Sequence, residues 1–255
     1  MCRIFAALGT DDATLQSALT QFGNLAEVGK VRLGSPPGHK DGWGLASYTN
    51  GLPVLLDKEP ASAAKNPGFE AIAQKLVEAK PDLTMGHLRK ASVGSLALEN
   101  TQPYSFENLT FCHNGTIQNF EKISLNSESF KLRKGTSDSE WLFLRLRELF
   151  LQNPSKSLEQ LLKEVRGLDY SAFIILFSNG KTLWALREVN EEESSIKKEG
   201  ALDSYYTLFL GIVGKGAVLI CSEKLDLPGV IWTPLHNHEL AEIELGTRTI
   251  SRSMV

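Results

Sequence analysis

Cysteine is scarce in this chain: three in 255 residues, at positions 2, 112 and 221, an odd set with no Cys-x-x-Cys spacing. That scarcity excludes a disulfide framework and a cysteine zinc site as organising features. Long apolar runs are missing as well. None reaches the roughly 18 residues a membrane-spanning helix needs, and the apolar stretch 4–8 is too short for a signal-peptide core. The expected location is the cytoplasm, with no membrane partner. An excess of one charge is also lacking, since 27 Lys and Arg face 30 Asp and Glu and leave a net charge of -3. With no basic cluster to attract a phosphate backbone, nucleic acid is not an expected partner. His236 and His238 have no further ligands at metal spacing, and no phosphate loop or dinucleotide fingerprint is present, so no metal or other cofactor is expected.

What is present is ordinary globular composition, 42% apolar and 22% charged, in a chain long enough to bury a sizeable core. The opening residues 1–8 read as a strand. Gly9, Asp11 and Asp12 then introduce a helix patterned on Leu15, Leu19 and Phe22. Residues 30–42 are a Gly- and Pro-rich loop. Strands at 43–49 and 52–57 are joined by Asn50-Gly51, the pair a tight hairpin favours because both central residues need positive φ. A helix over 69–79 precedes a strand at 83–89, and a strand at 108–113 is expected to end in His113-Asn114-Gly115.

In 136–152, Ser137 and Glu140 have capping-box spacing and place Asp138 in the first turn of a helix. A further helix is expected at 157–166, strands at 171–177, 182–187, 207–213 and 217–222, and an exposed loop at 190–204. No repeat, low-complexity tract or linker divides the chain, so residues 1–255 read as a single domain. Hairpin-grouped strands with interspersed helices indicate an α+β fold, two layers of mainly antiparallel sheet covered by helices.

Cys2 is the first candidate for chemistry. If Met1 is removed, one residue carries a thiol and a free α-amine, and an amine with a reference pKa of about 8 can take the thiol proton as sulfur attacks a carbonyl. Taken alone, Cys2 reads more often as a small apolar residue opening an edge strand. Attack on an amide builds an oxyanion, for which Asn114 offers a side-chain amide and Gly115 a backbone N–H, although Asn-Gly by itself is usually just a turn. Arg89, closing a strand, suits a substrate carboxylate, and Asp138, opening a helix, suits an ammonium group or simply the helix dipole. Cys112 and His113 are adjacent on a strand and point to opposite faces, so they do not form a Cys-His pair. Cys221 reads as a buried strand residue.

The set Met1-Cys2, Asp41-Gly42-Trp43-Gly44-Leu45-Ala46, His87-Leu88-Arg89-Lys90-Ala91-Ser92, His113-Asn114-Gly115 and Thr136-Ser137-Asp138-Ser139-Glu140 resembles the class II glutamine amidotransferases. These are N-terminal-nucleophile hydrolases with a four-layer αββα sandwich. The resemblance implies Cys2 as catalytic nucleophile forming a γ-glutamyl thioester, with Asn114 and Gly115 as the oxyanion hole. It implies Arg89 on the α-carboxylate of glutamine and Asp138 on its α-ammonium, with His87 and His113 structural. The Gly-Trp-Gly form, with Leu96-Ala97-Leu98-Glu99-Asn100-Thr101 downstream, looks like the small stand-alone branch, and Lys90 stands where relatives that pass ammonia to a synthase often have tryptophan. The expected function is hydrolysis of a γ-glutamyl amide, either glutamine or a γ-glutamyl peptide or thiol conjugate. The alternatives are a glutaminase working with a separate synthase or peptidase subunit, and a non-catalytic binding or regulatory module.

Overall fold

The computed structural model describes residues 2–193, 205–214 and 216–255. Thirteen strands and five α-helices follow one another as β1 (Arg3–Leu8), α1 (Asp12–Val28), β2 (Gly42–Thr49), β3 (Leu52–Glu59), α2 (Pro67–Ala79), β4 (Leu83–Arg89), β5 (Tyr104–Phe106), β6 (Leu109–Ile117), α3 (Ser127–Leu132), α4 (Asp138–Gln152), α5 (Ser157–Arg166), β7 (Tyr170–Ser178), β8 (Thr182–Arg187), β9 (Phe209–Val213), β10 (Ala217–Cys221), β11 (Ile231–Pro234), β12 (Glu239–Glu244) and β13 (Ile250–Met254).

Local signals start these elements where the sequence places them. Asp11 caps α1 by accepting from the Thr14 N–H at 2.7 Å, and Asn66 caps α2 ahead of Pro67. Asn50 and Gly51 both take positive φ, 52° and 75°, as the hairpin between β2 and β3 requires.

The strands form two antiparallel sheets, one in the order β11-β9-β10-β1-β4-β2-β3, the other in the order β13-β12-β8-β7-β6-β5. The sheets stack through Ile4, Ala6, Met85 and Ile220 on one side and Cys112, Ile174, Leu176 and Ala185 on the other. Phe5, Leu45 and Leu219 on the outer face of the first sheet are covered by Leu19 and Phe22 of α1 and Leu76 of α2. Phe111, Phe173 and Ile175 on the outer face of the second are covered by Leu142 and Leu146 of α4 and Leu161 of α5. Four layers result, α, β, β, α, as the family resemblance implies. All six residues of β1 are buried because the strand lies between β10 and β4 and is covered on both faces. No helix among the described residues is long and apolar enough to cross a membrane.

Three local expectations change. The strand expected at 108–113 does not stop at Asn114-Gly115: β6 runs on to Ile117, and the register with β7 shifts between Gly115 and Ile117, so the Asn-Gly pair lies within the strand immediately before an irregularity. The capping box of α4 closes on one side only. Ser137 Oγ accepts from the Glu140 N–H at 3.2 Å, whereas the Glu140 carboxylate turns back to accept from the N–H groups of Lys134 and Gly135. Strands β5, β11, β12 and β13 were not expected, being short or alternating with glutamates. Residues 194–204 of the loop expected at 190–204 lie outside the described residues.

Tyr48 ties the sheets together across their edge. Its hydroxyl lies 2.6 Å from the Thr110 hydroxyl and 2.9 Å from the Asn108 carbonyl, and burial pushes its pKa up to about 12, so it serves as a neutral donor. Tyr48→Phe keeps the ring and strands these groups, and is expected to cost about 1–2 kcal/mol of stability. Urea unfolding followed by circular dichroism, with the slope of the transition unchanged, checks this.

Candidate active site

Cys2 immediately precedes β1 and shares the inner-face parity of Ile4 and Ala6, so it sits at the mouth between the sheets. Its backbone N–H donates to Asn114 Oδ1 at 2.9 Å, joining the first sheet to β6 of the second. Its Sγ lies 3.8 Å from the Lys90 carbonyl oxygen. Burial, the largest influence, pushes the Cys2 thiol above its ordinary pKa, with Asp138 acting in the same direction and Arg89 opposing it. The two ionised residues singled out from the sequence are therefore both within electrostatic reach of the sulfur.

Asn114 is wholly buried. Because its Oδ1 is committed to Cys2, its Nδ2 is directed elsewhere, and that donor has no hydrogen-bond partner. A buried unpaired amide N–H costs roughly 1–3 kcal/mol, so its retention calls for a functional reason. Gly115 follows, just before the register shift, where a Cβ would collide with the Ala172 carbonyl oxygen, so no side chain fits.

Arg89 ends β4 beneath a loop that it holds in shape. Its guanidinium donates to the carbonyls of Val93, Gly94 and Ser95 at 2.9–3.2 Å, which uses three of its five N–H donors. Asp138 is the first residue of α4, and its carboxylate accepts from the N–H groups of Ile117 and Ser139 at 2.9 and 2.8 Å. The helix start and the strand carrying Asn114 are thereby locked to each other.

One residue the sequence reading did not single out connects these parts. Buried Asn100 accepts through Oδ1 from the N–H groups of Thr136 and Ser137, at 2.7 and 3.1 Å, in the turn that delivers Asp138. Through Nδ2 it donates at 3.2 Å to the Ser95 carbonyl, the same oxygen that receives Arg89. Asn100 thus joins the Arg89 loop to the Asp138 helix. Nothing local marks it, because its partners lie up to 37 residues away. Asp41, part of the second motif, accepts from the Ala91 N–H at 2.7 Å and fixes the turn after β4.

The two histidines of the motifs, His87 and His113, are both buried. His113 faces the helix layer, its ring 2.9 Å from Ser139 Oγ and 3.3 Å from the Ala172 carbonyl. His87 is buried with both ring nitrogens unpaired, and burial together with Arg89 holds it well below the usual imidazole range. Cys112 lies in the core between the sheets, on the opposite side of β6 from His113, and burial raises its thiol as it does that of Cys221. A cleft of about 800 Å³ has among its walls Lys90, which follows Arg89, and Thr116, which follows Gly115.

The family model for glutamine amidotransferases of class II matches residues 1–199 of this chain. A protein named putative glutamine amidotransferase YafJ, from Escherichia coli strain K12, is 32% identical over 181 residues, covering 64% of this chain and 67% of that one. An uncharacterized protein of Methanocaldococcus jannaschii is 26% identical over 197 residues, 74% of this chain and 51% of its own, so this chain spans about half the length of that relative. The solved structure of a glutamine aminotransferase class-II domain protein from Silicibacter pomeroyi superposes with a TM-score of 0.63 over 99% of both chains at 19% identity, a likeness of fold.

The close approach at Gly115 is backbone against backbone, so no rotamer change relieves it. Gly115→Ala is expected to lose about 3 kcal/mol of stability, checked by urea titration against the wild type.

Proposed function

The chain belongs to the class II glutamine amidotransferases, and on that premise we propose that it hydrolyses a γ-glutamyl amide through a thioester on Cys2. The family implies hydrolysis of the glutamine amide. The finer reading is carried by Asn114, whose Oδ1 holds the Cys2 nitrogen at 2.9 Å while its Nδ2 is buried with no partner. Such a donor is set in place before a negative oxygen exists, which is the arrangement that stabilises a transition state rather than a ground state.

In this reading, loss of Met1 turns the Cys2 nitrogen into an α-amine still within reach of Asn114 Oδ1. Burial holds the thiol protonated, so a base is needed at the moment of attack, and an amine with a reference pKa of about 8 supplies it. As the Cys2 S–H proton passes to the amine, sulfur bonds to the γ-carbonyl carbon, and the oxygen takes its charge between Asn114 Nδ2 and the Gly115 N–H. Collapse breaks the C–N bond, the leaving nitrogen takes the proton, and the γ-glutamyl group remains as a thioester. Water then attacks the thioester carbon, giving up a proton to the amine, and glutamate leaves as Cys2 recovers its thiol. An N–H donor of Arg89 not used by the loop receives the substrate α-carboxylate, and the Asp138 carboxylate receives the α-ammonium. The same reading takes residues 1–255 as one glutamine amidotransferase domain, since β10 lies beside β1 in the first sheet.

Intact mass spectrometry before and after 6-diazo-5-oxo-norleucine, a glutamine analogue that alkylates activated cysteine, tests the reading. We expect loss of Met1, one adduct on Cys2 and no turnover by Cys2→Ala. A retained Met1 with no adduct would overturn it in favour of a non-catalytic module. Asn100→Ala, which frees both ends of the amino-acid clamp, is expected to raise KM for glutamine about tenfold while changing kcat less, as read by steady-state glutamate release.

A further inference from the structure

The cleft beside Cys2 has walls of opposite charge. On the side of the first sheet it is lined by Arg32 and Lys90, and on the side of the second by Asp169, Glu192 and Glu193. Thr116, next to Gly115, lines its floor, and Lys90 supplies the carbonyl oxygen that lies against Cys2 Sγ. The cleft thus adjoins the proposed reaction centre through Lys90 and Thr116, although Cys2 and Asn114 do not themselves line it. At about 800 Å³ it is several times larger than the departing ammonia of glutamine needs.

Lys90 is built into this wall. Its ammonium donates to the carbonyls of Pro36 and Gly38 at 2.8 and 3.2 Å, which fixes its position and leaves the third of its N–H donors for another acceptor. Ammonia as a leaving group carries no anionic group for a cation to bind. An amino acid or short peptide does: its amine is tied up in the γ-glutamyl amide, and its free carboxylate is the one charge it carries near the scissile bond.

We propose that this cleft is a leaving-group subsite for an amino acid or short peptide, whose free carboxylate is bound by Lys90. The proposal rests on the γ-glutamyl amide hydrolysis argued above. In the step concerned, the γ-glutamyl C–N bond breaks as the Cys2 thioester forms, and the leaving nitrogen takes the proton held by the α-amine. A second proton from solvent makes the freed amine an ammonium, which emerges on the side of the cleft that carries Asp169. The two walls thus match the charges of the released zwitterion, carboxylate to one side and ammonium to the other. Lys90 acts here on specificity and touches the leaving group, not the γ-carbonyl.

The test compares three substrates on the full chain: γ-glutamylglycine, γ-glutamylmethylamide, which lacks the carboxylate, and glutamine. The wild type is expected to favour γ-glutamylglycine over the methylamide by about tenfold in kcat/KM, a charge-assisted hydrogen bond's worth, and Lys90→Met to erase that preference. Lys90→Arg, which keeps the charge, is expected to retain most of it. Turnover of glutamine and the methylamide with no preference for γ-glutamylglycine would overturn the subsite and leave the hydrolase standing. A preference that survives Lys90→Met would overturn the role of Lys90. Failure to turn over any of the three would sink the hydrolase reading itself, and the subsite with it.

Discussion

Cys2 and Asn114 meet because two strands in different sheets each keep their alternation. β1 turns Ile4, Ala6 and Leu8 inward, and Cys2 has the same parity; β6 turns Cys112 inward, and Asn114 is two residues on. A slip of one residue in either strand would send the thiol or the amide to the helix side, so the apolar core that fixes register also fixes the candidate site. The hydrogen bond from the Cys2 nitrogen to Asn114 is small in energy compared with that core. Its importance is that it converts sheet packing, which is non-directional, into a defined orientation for one amide group. Everything proposed for the site follows from where the other end of that amide points.

Around this bridge the polar groups are arranged with few spare partners. Asp138 is bound by two backbone N–H groups, Arg89 by three carbonyls, and Asn100 links the segments that carry them. These bonds compensate for the burial of one cation and one anion near Cys2, and they hold both at fixed positions. Against that background the unpaired Nδ2 of Asn114 is conspicuous: in a site where neighbouring polar groups are satisfied, the exception is the donor aimed at no protein atom. His87 is a second exception, with both ring nitrogens unpaired, and burial keeps its imidazole neutral, so no further charge is added beside Arg89.

Much of this was legible in the sequence because the site residues sit where regular structure begins, ends or breaks. Arg89 closes a strand whose limits, 83–89, are read from its apolar pattern, and Asp138 opens a helix announced by Ser137. Asn114-Gly115 was visible as a break, but its kind was not. A glycine that ends a strand and a glycine that lies within one look alike until the neighbouring strand supplies the Ala172 carbonyl that excludes a Cβ. Asn100 was illegible for a different reason: it acts through partners at Ser95, Thr136 and Ser137, and no local pattern encodes such a meeting. The half-closed capping box is the same effect at short range, since Asn100 occupies the Ser137 N–H that Glu140 would otherwise have reached. The late strands were missed because β11 and β13 are short and mostly exposed and β12 alternates with glutamate only in its second half, at 242 and 244.

The resemblance and the physical reading also constrain each other. Five short motifs identify a family, but each is individually compatible with an ordinary turn, cap or strand end, and none says how substrates are distinguished. That information resides in segments the motifs do not cover: the loop that carries Arg32 and pins Lys90, and the approach to β7 that carries Asp169. The reacting groups are buried and fixed by the sheets, while the cleft walls come from connections that can change without disturbing the core. On the proposed function, this architecture separates the acyl-transfer chemistry at Cys2 from the cleft walls proposed to select what departs from the γ-carbonyl. Lys90 belongs to both regions: its carbonyl lies against the Cys2 thiol, and its side chain lines the cleft.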